Sequence, residues 1–281
     1  MLTNWIEDDI LVNGNRMHYY RMGQTGASHK PSLVLQHGFS DTGLCWQPVA
    51  SELAATYDVV MSDARGHGLS ARVQEGEKLD MAADLAALIR GLGLERPVVA
   101  GHSMGARMAA QLGARFPDLV RALILEDPPW FAPQVAESRP PTITKDSPTA
   151  KWILSLKDQT LEQVMAQCRA EHPTWPEIIV RRWCEGKKQL DPAFLTTDNG
   201  GWPQWPEVAR AISCPVLLIT ADPDKGGLVT PEIAQQAVQM NSRFRVAHIP
   251  GVGHHIRFGN HSDYMRAFNA FLQEVTGHES Q

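Results

Sequence analysis

The 281-residue sequence lacks the usual marks of secreted, membrane-spanning and nucleic-acid-binding proteins. Its four cysteines are scattered with no Cys-x-x-Cys pair, so neither a zinc site nor a disulfide framework is expected. No apolar run is long enough to span a bilayer, and residues 1–9 lack the basic and apolar regions of a secretory signal. No long basic run is present, which argues against nucleic acid as a partner. These absences predict a cytoplasmic monomer or homodimer without a metal or another cofactor.

An alternation of short apolar runs with helical patterns is what the sequence does contain. Strand–helix–strand units of this kind form right-handed crossovers, so we expect an α/β protein with a mostly parallel sheet covered by helices on both faces. An Asn-Gly-Asn turn at residues 13–15 predicts an initial hairpin. The runs predicted as buried strands are residues 32–37, 59–62, 97–101, 122–125, 216–220 and 244–249.

Between residues 128 and 214 the pattern changes, because strand signals vanish while prolines and short helical stretches become frequent. We expect a core domain of residues 1–127 and 215–281 that carries a helical cap of residues 128–214. Large aromatic side chains on the inner face of a cap would line an apolar pocket, and Trp130 is the one we expect to contact a ligand. The alternative is that the tryptophans of this segment only pack its own small core. Six of the eight tryptophans lie in this segment: Trp130, Trp152, Trp175, Trp183, Trp202 and Trp205.

Residues 101–105, Gly-His-Ser-Met-Gly, match the pattern G-x-S-x-G at the end of a predicted strand and the start of a predicted helix. The glycines allow a sharp turn that presents the hydroxyl of Ser103 above the strand ends. The alternative is a serine that only caps the helix. The context favours Ser103 as a nucleophile.

A serine nucleophile needs a general base. The sequence has eleven histidines, so the candidate base is chosen by its position relative to the predicted strands. The loop after the last predicted strand contains His254 and His255, and such loops at the carboxyl ends of parallel strands gather active sites. His254, directly after Gly253, is the preferred base, and His255 is the alternative.

In these motifs and their order the sequence resembles the α/β-hydrolase superfamily, over essentially its whole length. The motifs are residues 37–39, 63–70, 101–105 and 253–254. The similarity is greatest to the cap-bearing group of serine esterases, lactonases and C–C bond hydrolases. It implies an oxyanion hole formed by the backbone amides of Phe39 and Met104, with the Phe39 side chain free to contact the substrate. The charged, glycine-rich loop at 63–70 is interpreted as structural.

The acid of the triad is left open among three aspartates. In most of the superfamily this residue follows the penultimate core strand, where the chain offers Asp222 and Asp224. The rigid Asp222–Pro223 step at the strand end favours Asp222, whereas ungapped counting favours Asp224. A minority of relatives place the acid one strand earlier, where Asp127 stands. Asp222 is the first choice.

The resemblance predicts hydrolysis of a carboxylic ester or lactone through an acyl-enzyme, and the tryptophans favour an apolar small-molecule substrate. The alternative is C–C cleavage of a ketone or diketone ring-cleavage product. Such dianionic substrates would call for an arginine in the site, and the cap offers Arg169, Arg181 and Arg182. A slow-turnover small-molecule receptor is a third hypothesis. Serine rather than aspartate at the elbow argues against epoxide or haloalkane hydrolysis.

Overall fold

The computed structural model describes residues 5–23, 30–132, 146–197 and 204–277. Its centre is an eight-stranded sheet whose strands lie in the order β1-β2-β4-β3-β5-β6-β7-β8. β1 and β2 form the predicted hairpin, β2 pairs antiparallel with β4, and the other neighbours pair in parallel. The strands are β1 (Ile6–Val12), β2 (Asn15–Met22), β3 (Ser32–Gln36), β4 (Asp58–Ser62), β5 (Val98–His102), β6 (Ala122–Glu126), β7 (Val216–Thr220) and β8 (Phe244–His248).

Helices cover both faces of this sheet, because alternate strand residues point to opposite sides. In β3, Val34 enters one apolar cluster while Leu33 and Leu35 enter the other. The predicted α/β architecture is therefore confirmed. The helices are α1 (Gln47–Leu53), α2 (Met81–Gly91), α3 (Met104–Arg115), α4 (Pro148–Lys157), α5 (Leu161–Glu171), α6 (Glu177–Gln189), α7 (Trp205–Ala211), α8 (Pro231–Met240), α9 (Ile256–Gly259) and α10 (His261–Thr276).

The segment between β6 and β7 contains α4 to α7 and a 3-10 turn at Pro192–Thr196, and its described residues include no strand. Helix α6 lies against the loop after β3, where a Cβ added to Gly186 would be 2.9 Å from the Cα of Asp41. Helix α7 packs on α3. The division of the chain into a core and a separate cap stays a prediction.

No helix among the residues that the structure describes is long and apolar enough to cross a bilayer.

Candidate active site

Ser103 lies in a strained turn between β5 and α3. Its φ of 52° and ψ of −114° are unusual for a residue with a Cβ, and such strain is typical of functional positions. Its amide donates to the carbonyl of Glu126 at 2.9 Å, which ties the turn to the end of β6. The side chain makes no capping hydrogen bond to α3, so the helix-cap alternative gains no support.

Close backbone approach explains the two glycines of the motif. A Cβ on Gly105 would be 2.6 Å from the carbonyl oxygen of His37, and one on Gly101 would be 2.5 Å from the amide nitrogen of Ala106. Both positions lie where real Cβ atoms do not fit. Gly105 therefore lets α3 lie directly against the end of β3, and Gly101 lets β5 lie directly against the first turn of α3.

The predicted oxyanion donors lie at this contact. Phe39 lies in the loop that follows β3, the β3 exit loop, and Met104 is the first residue of α3. In the described part of the chain, neither backbone amide has a hydrogen-bond acceptor. His37 holds the exit loop, because its Nδ1 donates to the Gly38 carbonyl at 2.8 Å and its Nε2 accepts from the Ala64 amide at 2.9 Å. Burial lowers the pKa of His37 and keeps the ring neutral, as this pattern requires.

His254 pairs with Asp127, the third of the three candidate acids. The imidazole Nδ1 is 2.6 Å from Oδ2 of Asp127, so Nδ1–H donates and Nε2 is left free of the carboxylate. The Asp127 side chain is fully buried, whereas that of His254 is 25% exposed. A buried carboxylate that fixes the tautomer of a partly exposed histidine is the arrangement that a general base needs.

The Asp127 carboxylate is held by main-chain donors as well as by the histidine. The Leu228 amide lies 3.0 and 2.9 Å from its two oxygens, and the Val229 amide donates at 3.0 Å. Asp127 has a φ of 43°, a left-handed conformation that aspartate tolerates better than most residues. These donors fix the orientation of the carboxylate toward His254.

Asp222, the first choice for the acid, lies apart from the imidazole of His254 in the structure. Its Oδ1 is 3.0 Å from Nε2 of His248 and its Oδ2 accepts from the Gly251 amide at 2.8 Å, so it braces the loop before His254 and does not contact that imidazole. Asp224 is exposed in the 3-10 turn Pro223–Lys225. The physical reason is the direction of the side chains: that of Asp222 reaches β8 and the loop after it, whereas that of Asp127 reaches the imidazole of His254.

His255 has different surroundings from those of its neighbour. Its ring lies 5.6 Å from that of Phe258 in a stacked arrangement, and 5.3 Å from the ring of Trp175 at a steep angle. Burial lowers the pKa of His255 well below its ordinary value. A neutral histidine packed among aromatic rings fits a structural role, which supports His254 as the base.

Trp130, the predicted ligand contact, packs against other aromatic side chains in the structure. Its ring is 3% exposed, stacks on Trp205 at 5.2 Å and contacts Phe244 at 5.9 Å. It follows the Pro128–Pro129 step and lines a small cavity between α3 and α7. Counting tryptophans cannot separate this packing from the lining of a ligand pocket. Trp202 lies outside the described residues.

Phe39 remains next to other aromatic side chains. Its ring is 6.1 Å from that of Phe194 in the 3-10 turn between α6 and α7, and 6.3 Å from that of His67. The loop that contains His67 is structural, as predicted: the buried Asp63 accepts from the amides of Gly43 and Leu69 at 2.7 and 2.8 Å.

The three arginines named for a dianionic substrate have partners elsewhere. Arg169 forms an exposed pair with Glu177, and Arg181 lies 4.0 Å from Glu185. Arg182 donates to Gln47 at 3.1 Å and also pairs with Glu185. None of these contacts supports a cation directed at the substrate.

The buried ion pair between Lys187 and Asp41 was not predicted from the sequence. Lys187 lies on α6, 3% exposed, and its Nζ is 2.7 Å from Oδ1 of the equally buried Asp41 and 4.1 Å from the ring centre of Trp183. The pair connects α6 to the loop that carries Phe39. Trp183 and Lys187 are four residues apart, so the sequence places both on one face of a helix. This spacing could have indicated their contact, but a lysine at such a position is usually solvent-exposed.

Within the described ranges no cluster of three histidine, cysteine, aspartate or glutamate side chains is arranged to hold a metal ion.

An eight-stranded, mostly parallel sheet with a strained serine after β5 and a histidine–aspartate pair at its carboxyl edge defines a hydrolase of the α/β type. The chain belongs to the alpha/beta hydrolase family, whose model it matches over residues 33–271.

Two curated relatives align over most of both chains. The N-formylmaleamate deformylase of Pseudomonas putida is 28% identical over 271 residues, which is 94% of this chain and 95% of the relative. The 2-(acetamidomethylene)succinate hydrolase of Mesorhizobium japonicum is 24% identical over 253 residues, 86% of this chain and 88% of the relative. Among solved structures, an N-formylmaleamic acid deformylase from Pseudomonas putida S16 superposes with a TM-score of 0.76 at 26% identity, covering 94% of this chain and 100% of that one.

Proposed function

We propose that this protein is a serine hydrolase that cleaves small acyl compounds through an acyl-enzyme, with Ser103, His254 and Asp127 as its catalytic triad. The observation that carries the proposal is the 2.6 Å contact between His254 and the buried Asp127, beside a serine held in a strained turn. A strained backbone at the serine persists only because the surrounding fold holds it in place. Nucleophilic catalysis uses both this strained turn and a histidine whose tautomer is fixed by a carboxylate.

In the proposed reaction the Ser103 hydroxyl attacks the substrate carbonyl while Nε2 of His254 takes its proton. Asp127 stabilises the imidazolium that forms, and the amides of Phe39 and Met104 donate to the oxyanion. His254 then gives its proton to the leaving group, which departs and leaves the acyl-enzyme. Water attacks this ester with the same base, so that one water is consumed and the carboxylic acid and free serine result.

The first candidate substrate is a carboxylic ester or lactone with an apolar acyl part. The aromatic contacts of Phe39 with Phe194 and His67 support an apolar surface next to one oxyanion donor. The contacts of Arg169, Arg181 and Arg182 with glutamate side chains weigh against C–C cleavage of a dianionic ring-cleavage product.

The second candidate is a small N-acyl compound. The two curated relatives named above carry names with an acyl group on nitrogen, formyl in one and acetamido in the other. The same triad serves this reaction, but His254 must protonate a more basic leaving nitrogen. The scissile bond would then be C–N instead of C–O.

A substrate panel with an active-site control tests the proposal. Esters of graded acyl length, lactones, N-formyl and N-acetyl amides and a ring-cleavage diketone are assayed with the wild type and with Ser103→Ala. We expect turnover of one acyl class, and loss of that turnover in a folded Ser103→Ala variant. Near-normal turnover in this variant would overturn the mechanism, and stoichiometric ligand binding without turnover would favour the receptor hypothesis.

A further inference from the structure

His102 occupies the second position of the serine motif, directly before Ser103, and is not a member of the proposed triad. It is the last residue of β5, 1% exposed, and pairs in register with Glu126 of β6. A histidine is an uncommon occupant of a fully buried strand end, where an apolar side chain would avoid the cost of burying two ring nitrogens.

One of those nitrogens contacts the segment that carries the proposed base. Nε2 of His102 lies 3.0 Å from the main-chain carbonyl oxygen of His254. A carbonyl only accepts, so Nε2 carries the proton and donates. The residue next to the nucleophile therefore holds the backbone of the base across 152 positions of sequence.

The other nitrogen is left without a partner. Nδ1 of His102 is buried, and in the part of the chain that the structure describes no group is within hydrogen-bonding geometry of it. A Cβ placed on Gly38 would lie 2.7 Å from this atom, so the ring also fits closely against the β3 exit loop. Burial lowers the pKa of His102 well below its usual value, in keeping with one neutral tautomer.

The ring fills the space between the two catalytic segments as well. Its centroid is 4.6 Å from that of His254 and 5.3 Å from that of His255. His254 is thus fixed at two points: its side chain by Asp127 and its main chain by His102. Two attachments on different atoms leave the imidazole little freedom to move away from the serine turn.

We propose that His102 is a positioning residue, which sets the distance between Ser103 and the imidazole of His254 by donating from Nε2 to the carbonyl of His254. The inference rests on the proposed triad. The proposed role depends only on where the N–H donor lies, so another side chain that places an N–H at the same point should replace the histidine. A displacement of the order of 1 Å in a catalytic group can cost about 100-fold in rate.

Three substitutions separate positioning from packing. The terminal amide nitrogen of glutamine reaches about as far as Nε2 of histidine, whereas that of asparagine stops near Nδ1. His102→Gln therefore keeps the donor at the right place, His102→Asn carries the same chemical group too short, and His102→Leu fills the space without a donor. Each variant is compared by thermal unfolding and by the second-order rate of inactivation with a fluorophosphonate probe across pH.

We expect His102→Asn and His102→Leu to react with the probe roughly 10- to 100-fold more slowly than the wild type, and His102→Gln to recover to within about threefold. With any ester that the panel identifies, the loss should fall on kcat and leave KM nearly unchanged. Wild-type inactivation rates in folded His102→Leu and His102→Asn would overturn the proposal. So would a His102→Gln variant as slow as His102→Leu, or failure of all three variants to fold, since each outcome assigns the ring to packing alone.

Failure of the proposed function gives a different result. If Ser103 is not a nucleophile, the wild type itself does not react with the probe at that residue, as peptide mass spectrometry of the labelled protein would show. If the wild type reacts and the His102 variants react equally well, the proposed function stands and the positioning role is refuted.

Discussion

Replacing Asp127 by asparagine is the most direct test of the site geometry. Asparagine has the same shape as aspartate and tolerates a positive φ, so the backbone at 43° should be retained. The amide group, however, cannot accept at both oxygen positions. It must turn its NH₂ either to Nδ1 of His254 or to the amides of Leu228 and Val229.

Either orientation has a cost that can be worked out. With NH₂ toward the histidine, Nδ1 becomes the acceptor and Nε2 carries the proton, so His254 can no longer take the proton of Ser103. Loss of the carboxylate from such a triad costs about 10⁴ in turnover, which corresponds to roughly 5.4 kcal/mol of transition-state stabilisation. With NH₂ toward the main chain, a buried backbone N–H loses its acceptor, and the cost is about 1–3 kcal/mol of folding stability.

The matched control is Asp222→Asn, the same chemical change at the aspartate that the sequence favoured. Asp222 contacts His248 and the Gly251 amide, so this variant should lose less than about tenfold in kcat. Steady-state kinetics on a substrate from the panel, with urea unfolding of each variant, measures both effects. The reasoning is refuted if Asp127→Asn keeps turnover near that of the wild type while Asp222→Asn loses several orders of magnitude.

Two further predictions concern stability. Lys187→Met keeps the side chain over Trp183 but leaves the buried Asp41 carboxylate unpaired, so urea unfolding should show a loss of about 3–5 kcal/mol. Arg169→Met, in an exposed pair, is the control and should leave the unfolding midpoint near that of the wild type; equal midpoints in the two variants would contradict the prediction. The second prediction is that acidification destabilises the protein, because burial lowers the pKa of four histidines. Since the folded protein binds these protons less readily than the unfolded chain, stability is fully present above about pH 6.5 and falls below it, by at most about 1.4 kcal/mol per pH unit for each histidine. Urea unfolding at several pH values measures this slope, and an unfolding free energy unchanged between about pH 7.5 and 5.5 would contradict it. These histidines are His37, His67, His102 and His255.

The parts of the fold that the sequence predicts are those that local pattern determines. Apolar runs of strand length between helical repeats predicted the parallel sheet, and the glycines around Ser103 predicted the turn, because both depend on residues close together in the chain. The position of His254 was predictable for the same reason, since the loop after the last strand lies at the carboxyl edge of any such sheet.

The aspartate that contacts His254 could not be chosen in this way, because the choice depends on which of two neighbouring side chains reaches the histidine. β6 and β7 pair directly in the sheet, so Asp127 and Asp222 begin side by side. The Asp127 amide donates to the carbonyl of Ile219 at 2.9 Å, and its carboxylate reaches amides beyond β7. These contacts join residues about 100 positions apart and leave no trace in local spacing.

The end of β6 organises the site more than any other strand end does. The Glu126 carbonyl accepts from the Ser103 amide, and its side chain forms a fully buried pair with Arg257, three residues after the proposed base. The next residue, Asp127, holds the imidazole of His254. One dipeptide therefore contacts the nucleophile turn, the base and the helix that follows the base. An acid placed after β7 would divide these contacts between the ends of two strands, so that one dipeptide would no longer hold both the nucleophile turn and the proposed base.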